Sequence, residues 1–107
     1  MNIREIQNEL IIWLNNNFPS SDWQKQFMGI VEEVGELSHS LLKQSQGIRG
    51  NSEEHELKAK DAVGDITIYL MALCIRRGWD FQEIVEETWN LVSKRNWKEN
   101  PTGVKNG

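Results

Sequence analysis

Apolar residues recur along this chain every three to four positions, and nowhere do they alternate with polar ones over the length of a strand. Ile3, Ile6, Leu10, Trp13 and Leu14 share one face of a first helix, capped by Asn2 and running to about Asn16. The run Asn15-Asn16-Asn17-Phe18-Pro19-Ser20-Ser21 breaks it, and Ser21 or Asp22 caps a second helix that reaches about Lys43. Phe27, Ile30, Val31, Val34, Leu37 and Leu41 form the stripe of that helix, centred on Val34. Gln44 to Ser52 is polar and holds two glycines, which predicts a loop free to move. Ser52 followed by Glu53, Glu54 and His55 reads as a helix start, with acidic residues favoured in the first turn. This third helix runs to Arg77, where Gly78 is the natural stop. Asp80 caps a fourth, striped by Phe81, Ile84, Val85, Thr88, Trp89 and Val92 and ended by Lys94 and Arg95. Residues 1–100 thus read as a single all-α domain, and Pro101 to Gly107 as a flexible tail.

Helix three carries Val63, Ile66, Ile68, Leu70, Met71, Leu73 and Ile75 in several directions, and a helix apolar all round is buried. Three partner helices from a chain of this length cannot surround it. The pattern predicts a four-helix bundle-like chain that completes its core by oligomerisation, as a homodimer or a homotetramer with helix three near the interface.

Composition narrows the classes. The chain has 107 residues, 38% hydrophobic and 26% charged, with a net charge of −4, which argues against binding a nucleic acid polymer. The single Cys74 allows no internal disulfide, fits a reducing cytoplasm, and sits in an apolar run as a packed thiol. Met1-Asn2-Ile3-Arg4-Glu5 lacks a signal-peptide layout, and the near-apolar stretch from Ala62 to Ile75 contains Asp65 and is too short to span a bilayer. The expectation is a soluble, cytoplasmic protein with no membrane partner.

Two carboxylate pairs carry the candidate chemistry. On helix two, Glu33 lies about 100° from Val34, Glu36 about 60° further round and Glu32 roughly 40° beyond that. On helix three, Asp65 lies about 100° and Asp61 about 140° from Ile66, so that Asp61, Asp65, Tyr69 and Arg76 form a column. Columns facing one another across a groove would repel unless a hard divalent cation, Mg²⁺ above all, neutralised them. A Glu-Glu-x-x-Glu run on a helix is also the ordinary composition of a solvated face, and Asp61 suits a plain surface position. Asp65, flanked by Ile66, Ile68 and Leu70, is harder to read that way.

At these residues the chain resembles the MazG-like branch of the all-α nucleoside triphosphate pyrophosphohydrolases, related to dimeric dUTPases and phosphoribosyl-ATP pyrophosphatase. The family pattern is Glu-Glu-x-x-Glu, a spacer, then Glu-x-x-Asp. Glu32-Glu33-Val34-Gly35-Glu36 matches the first half, and Lys60-Asp61-Ala62-Val63-Gly64-Asp65-Ile66-Thr67-Ile68-Tyr69-Leu70 the second. The likeness continues through Glu87-Thr88-Trp89-Asn90-Leu91-Val92-Ser93-Lys94-Arg95-Asn96-Trp97 and covers roughly residues 20 to 100. One position departs: Ala62 stands where the pattern has its second-half Glu, and Asp61, on nearly the same helix face, takes over the ligand role.

The resemblance implies hydrolysis of a nucleoside triphosphate between its α and β phosphates, to a monophosphate and pyrophosphate. It implies Mg²⁺ (with Mn²⁺ able to substitute) held by Glu33, Glu36 and Asp65 with Asp61 assisting, and Glu32 or Glu33 as the group that activates water. Tyr69, Arg76, Lys94 and Arg95 are the candidates for the substrate's phosphates or ribose; cations at a helix C-terminus also suit the helix dipole. Core packing accounts for most of the five tryptophans, with Trp13, Trp23 or Trp97 available to stack a base. Glu36 and His39 form one Glu-x-x-His, but a di-iron bundle needs two, and Ser52 precedes His55 at the matching position. Two rivals stay open: a phosphoribosyl-ATP pyrophosphatase-like enzyme, and a catalytically silent helical dimerisation or nucleotide-sensing module.

Overall fold

The computed structural model describes residues 1–103, folded as four α-helices with no strand among them: α1 (Ile3–Asn17), α2 (Trp23–Gln46), α3 (Ser52–Arg77) and α4 (Phe81–Val92). Local chemistry sets their ends. The side chains of Asn2, Asp22, Asn51 and Asp80 each accept a hydrogen bond from a backbone N–H three residues on, at 2.8–3.1 Å. Gly47 and Gly78 end α2 and α3 in the left-handed conformation, both at φ +70°. Four boundaries differ from expectation. The second helix runs past Lys43, the third is capped by Asn51 ahead of Ser52, the loop shrinks to 47–51, and α4 stops at Val92, leaving Lys94 and Arg95 in the turn beyond it. Of the expected tail, residues 104–107 lie outside the described residues.

The short loop is held in place. His55 is buried, and its Nε2–H donates to the Ile48 carbonyl at 2.9 Å. Gln44 Nε2 donates to Ser52 O (3.0 Å) and Glu56 Oε2 (2.9 Å), tying the end of α2 to the start of α3. Two long helices joined by five residues lie antiparallel, and this hairpin is the body of the protein. At its other end α1 packs on α3 through Leu10, Leu14, Met71 and Ala72, with Ile6, Ile75 and Phe81 against that cluster. Arg4 on α1 pairs with Asp80 at 2.6 Å and so holds the start of α4, on which no residue is buried. The expected bundle does not close within one chain. No helix of the described residues is long and apolar enough to cross a membrane.

The second helix is inverted with respect to its stripe. The residues that α2 buries are Gln26, Glu33 and Ser40, all polar, whereas Phe27, Met28, Val31, Val34, Leu41 and Leu42 are each 48–61% exposed. Periodicity identified the apolar face correctly, but α3 docks on the face beside it, and α1 and α4 sit elsewhere. Helix three likewise leaves Val63, Ile68 and Leu70 exposed. Nor do the tryptophans form a core: all five are 39–65% exposed. Trp23 and Trp79 instead sandwich the Arg77 guanidinium at 5.2 and 5.1 Å, a cation–π clasp between the start of α2 and the end of α3. The accessible surface is 8,071 Å², against about 6,100 Å² for a compact monomer of this mass, and the radius of gyration is 17.6 Å against about 13 Å.

Arg76 fastens the end of α1. Its guanidinium donates to Phe18 O at 2.8 Å, Asn15 Oδ1 at 3.0 Å and Ser21 Oγ at 3.3 Å, satisfying groups that α1 leaves open where it stops. Arg76→Met keeps the stem and deletes the donors. It is expected to lower stability by about 2 kcal/mol, measured as a shift in the urea midpoint; an unchanged midpoint would show that the strap holds nothing.

Candidate functional site

Glu32, Glu33 and Glu36 lie on one side of α2 with a carboxylate oxygen from each within 4.8 Å of the others. Burial differs sharply among them. Glu33 is 8% exposed, while Glu32 and Glu36 are exposed. Glu33 Oε2 is enclosed and has no hydrogen-bond partner among the described residues. A buried carboxylate oxygen without a donor is costly and needs a cation or a proton. The Glu33 carboxyl is held above its ordinary value, by burial first, then by the charge and side-chain hydrogen bonding of Glu36, then by the charges of Asp65 and Glu32.

The two aspartates face this cluster from α3 without joining it. Glu36 lines a groove of about 370 Å³ with His39, Ser40, Lys58, Asp61 and Asp65. Both aspartates are exposed, and the oxygen cluster itself consists of the three glutamates. Ala62, at the position of the missing family Glu, is buried on the floor of the same groove. Glu36, Asp61 and Asp65 thus border one groove of the hairpin, with Glu32 and Glu33 grouped beside Glu36 on α2.

Asp65 also borders a second, partly open cavity of about 370 Å³ between α1, the start of α2 and α3. Its walls include Trp13, Phe18, Ile68 and Tyr69, and its polar groups include Lys25 and Gln26. The Trp13 and Phe18 rings meet at 5.7 Å between centroids, tilted by 59°. This size and mixture suit an aromatic heterocycle, and Asp65 joins that space to the carboxylates. Arg76 shapes the cavity from behind, since Phe18 and Ser21, which it holds, are among its lining.

The expected site residues therefore divide. Glu36, Asp61, Asp65 and Tyr69 line two cavities that share Asp65, and Glu32 and Glu33 adjoin Glu36 on α2. Arg76 is engaged with the α1–α2 turn, and Lys94 and Arg95 line neither cavity. Lys25, Gln26 and Lys58 went unrecognised in the sequence. Lys25 was legible in principle: Lys25, Gly29 and Glu33 follow at steps of four, one face of a helix.

A raised carboxyl value has a definite consequence for stability. The native state holds the Glu33 proton more tightly than the unfolded chain, so stability falls as pH rises from the ordinary glutamate value through the raised one. Glu33→Gln is expected to melt higher than wild type at pH 7 in a chelator, with the gap closing below the ordinary carboxylate range. Equal melting temperatures at pH 7 would contradict this.

No protein-family model matches the chain, no curated protein matches it, and no solved structure matches it. Its function is read from its own residues.

Proposed function

We propose that the chain is a Mg²⁺-dependent nucleoside triphosphate pyrophosphohydrolase of the MazG-like kind, adding water across the anhydride between the α and β phosphates. The observation that carries this reading is the buried, unpartnered oxygen of Glu33, set among Glu32 and Glu36 and joined through Asp65 to an aromatic-walled cavity. The donor set is made of carboxylate oxygens, which suits a hard cation such as Mg²⁺ or Mn²⁺. Glu33 and Glu36 would hold it from α2, with Asp65 and Asp61 opposite. The ion supplies neutralisation of phosphate charge and polarisation of water.

The rest belongs to the chain's own groups. Trp13, Phe18 and Tyr69 take the base by stacking. Gln26 offers an amide for its polar edge, with part of that amide donating to Ser21 Oγ at 3.0 Å. Lys25 and Lys58, one in each cavity, offset the phosphates. Glu32, exposed beside the cluster, is free to orient and deprotonate water while Glu33 remains a ligand. The second reading, a silent nucleotide-sensing or dimerisation module, draws on Ala62 and on the exposure of Asp61. A phosphoribosyl-ATP pyrophosphatase-like enzyme would use the same groups and be told apart by what fills the cavity.

We further propose that the working unit is a homo-oligomer in the cytoplasm, at least a dimer, closed through the outward stripe of α2. Surplus surface of about 2,000 Å² per chain amounts to about 4,000 Å² for a pair, within the range of obligate interfaces. Phe27, Val31, Val34 and Leu41 supply the apolar row, with Val63 and Leu70 available on α3.

A Mg²⁺-dependent screen of canonical and damaged nucleoside triphosphates, with phosphoribosyl-ATP beside them, tests the activity. Release of pyrophosphate in preference to phosphate is expected. Glu36→Gln and Asp65→Asn should each reduce turnover by about 10²-fold or more while helical content persists; full activity in both would remove the site. Sedimentation equilibrium at low micromolar concentration tests the assembly. Wild type is expected to contain at least two copies and Val34→Glu to fall apart, and a folded, active wild-type monomer would refute the interface.

A further inference from the structure

Gly29 lies on the α2 face that meets α3, and a side chain there has no room. A Cβ at Gly29 would fall onto Tyr69 Cε1, with Cζ at 2.6 Å and Cδ1 at 2.7 Å, closer than real atoms approach. The ring of Tyr69 therefore rests on the bare backbone of α2. Gly35 and Gly64, on the same two helices, show the contrast, since a Cβ at either meets nothing within 4 Å.

The contact lies in register with the carboxylates. In an antiparallel pair, a step of four forward on α2 is matched by a step of four back on α3. From Gly29 opposite Tyr69, one turn leads to Glu33 opposite Asp65. Further along, Glu36 and Ser40 share a groove with Ala62 and Lys58, and Gln44 bonds Ser52 and Glu56. The distance between the helices at Gly29 thus sets their distance one turn away, where Glu33 and Asp65 must approach the same cation.

We propose that Gly29 is a positioning residue: by admitting the Tyr69 ring against the α2 backbone, it fixes the separation at which Glu33 and Asp65 serve one divalent cation. The inference rests on the metal reading above and adds the element that gives the site its width. An added methyl would push α3 outward where the ion needs both helices. Helix propensity alone predicts the opposite sign, because Gly→Ala inside a helix is ordinarily stabilising.

Mn²⁺ binding to the full chain, read by calorimetry or by electron paramagnetic resonance of the free ion, separates these effects without an activity assay. Gly29→Ala is expected to weaken Mn²⁺ binding tenfold or more, and Gly64→Ala to leave it unchanged. Gly29→Ala combined with Tyr69→Ala, which removes the obstructing ring, is expected to recover most of the affinity. Circular dichroism is read on each variant. The recovery supports positioning where Gly29→Ala keeps wild-type helical content. A Gly29→Ala variant that does not fold overturns the inference, because Gly29 then serves folding alone. Wild-type affinity in Gly29→Ala overturns the inference, as does a folded double variant that binds no better than Gly29→Ala. A wild type that binds no Mn²⁺ overturns the metal reading itself, and the inference with it.

Discussion

The pairing of α2 with α3 along a polar seam governs everything else in this molecule. Helices ordinarily meet through apolar stripes, yet the residues that α2 buries are Gln26, Glu33 and Ser40. Burying Glu33 at 8% exposure is unfavourable by itself, and the neighbouring charges of Glu36, Asp65 and Glu32 make its ionised form more so. The seam is held by other means: Ala59 and Ala62 packed into it from α3, the Tyr69 ring on Gly29, the Gln44 bonds at one end and the Arg77 clasp at the other. The buried Glu33 carboxyl is thus a local cost within the seam, one that the proposed cation would offset.

Both the cavity and the exposed stripe follow from that seam. Because α2 gives its polar side to α3, its apolar side is turned outward and one chain cannot cover it. Because α1 covers only the C-terminal half of α3, the space between α1 and the start of α2 stays open beside Asp65, walled by Trp13, Phe18 and Tyr69. Arg76 keeps that wall in position from the far end of α3. The candidate site and the candidate interface thus occupy neighbouring faces of the same helix.

Features decided within a few residues were legible in the sequence. The caps Asn2, Asp22 and Asp80 and the stop at Gly78 depend on short-range hydrogen bonds and on glycine's access to positive φ, and they fall where expected. The grouping of Glu32, Glu33 and Glu36 was legible too, because helical arithmetic places side chains on a face whatever the partner. What the pattern could not say was which face would meet which. The tryptophans at 13, 23, 79, 89 and 97 read as core because of their size, whereas Trp23 and Trp79 are occupied with Arg77 at the surface. Arg76 aligned with Asp61, Asp65 and Tyr69 on a wheel, but its length carries the guanidinium to the end of α1. Lys94 and Arg95 were placed on a helix that stops before them.

The short link between α2 and α3 bears on how the protein comes into being. Gly47 to Asn51 joins the two longest helices, so contacts across the hairpin are local in sequence and its closure is a fast, unimolecular event. In the proposed oligomer, covering the outward row of α2 would be second order in protein. Newly made chains would then pass through a stage in which the carboxylate groove already exists and the apolar row is still bare. That interval would shorten as the chain's own concentration rises, tying the yield of finished molecules to the level of synthesis.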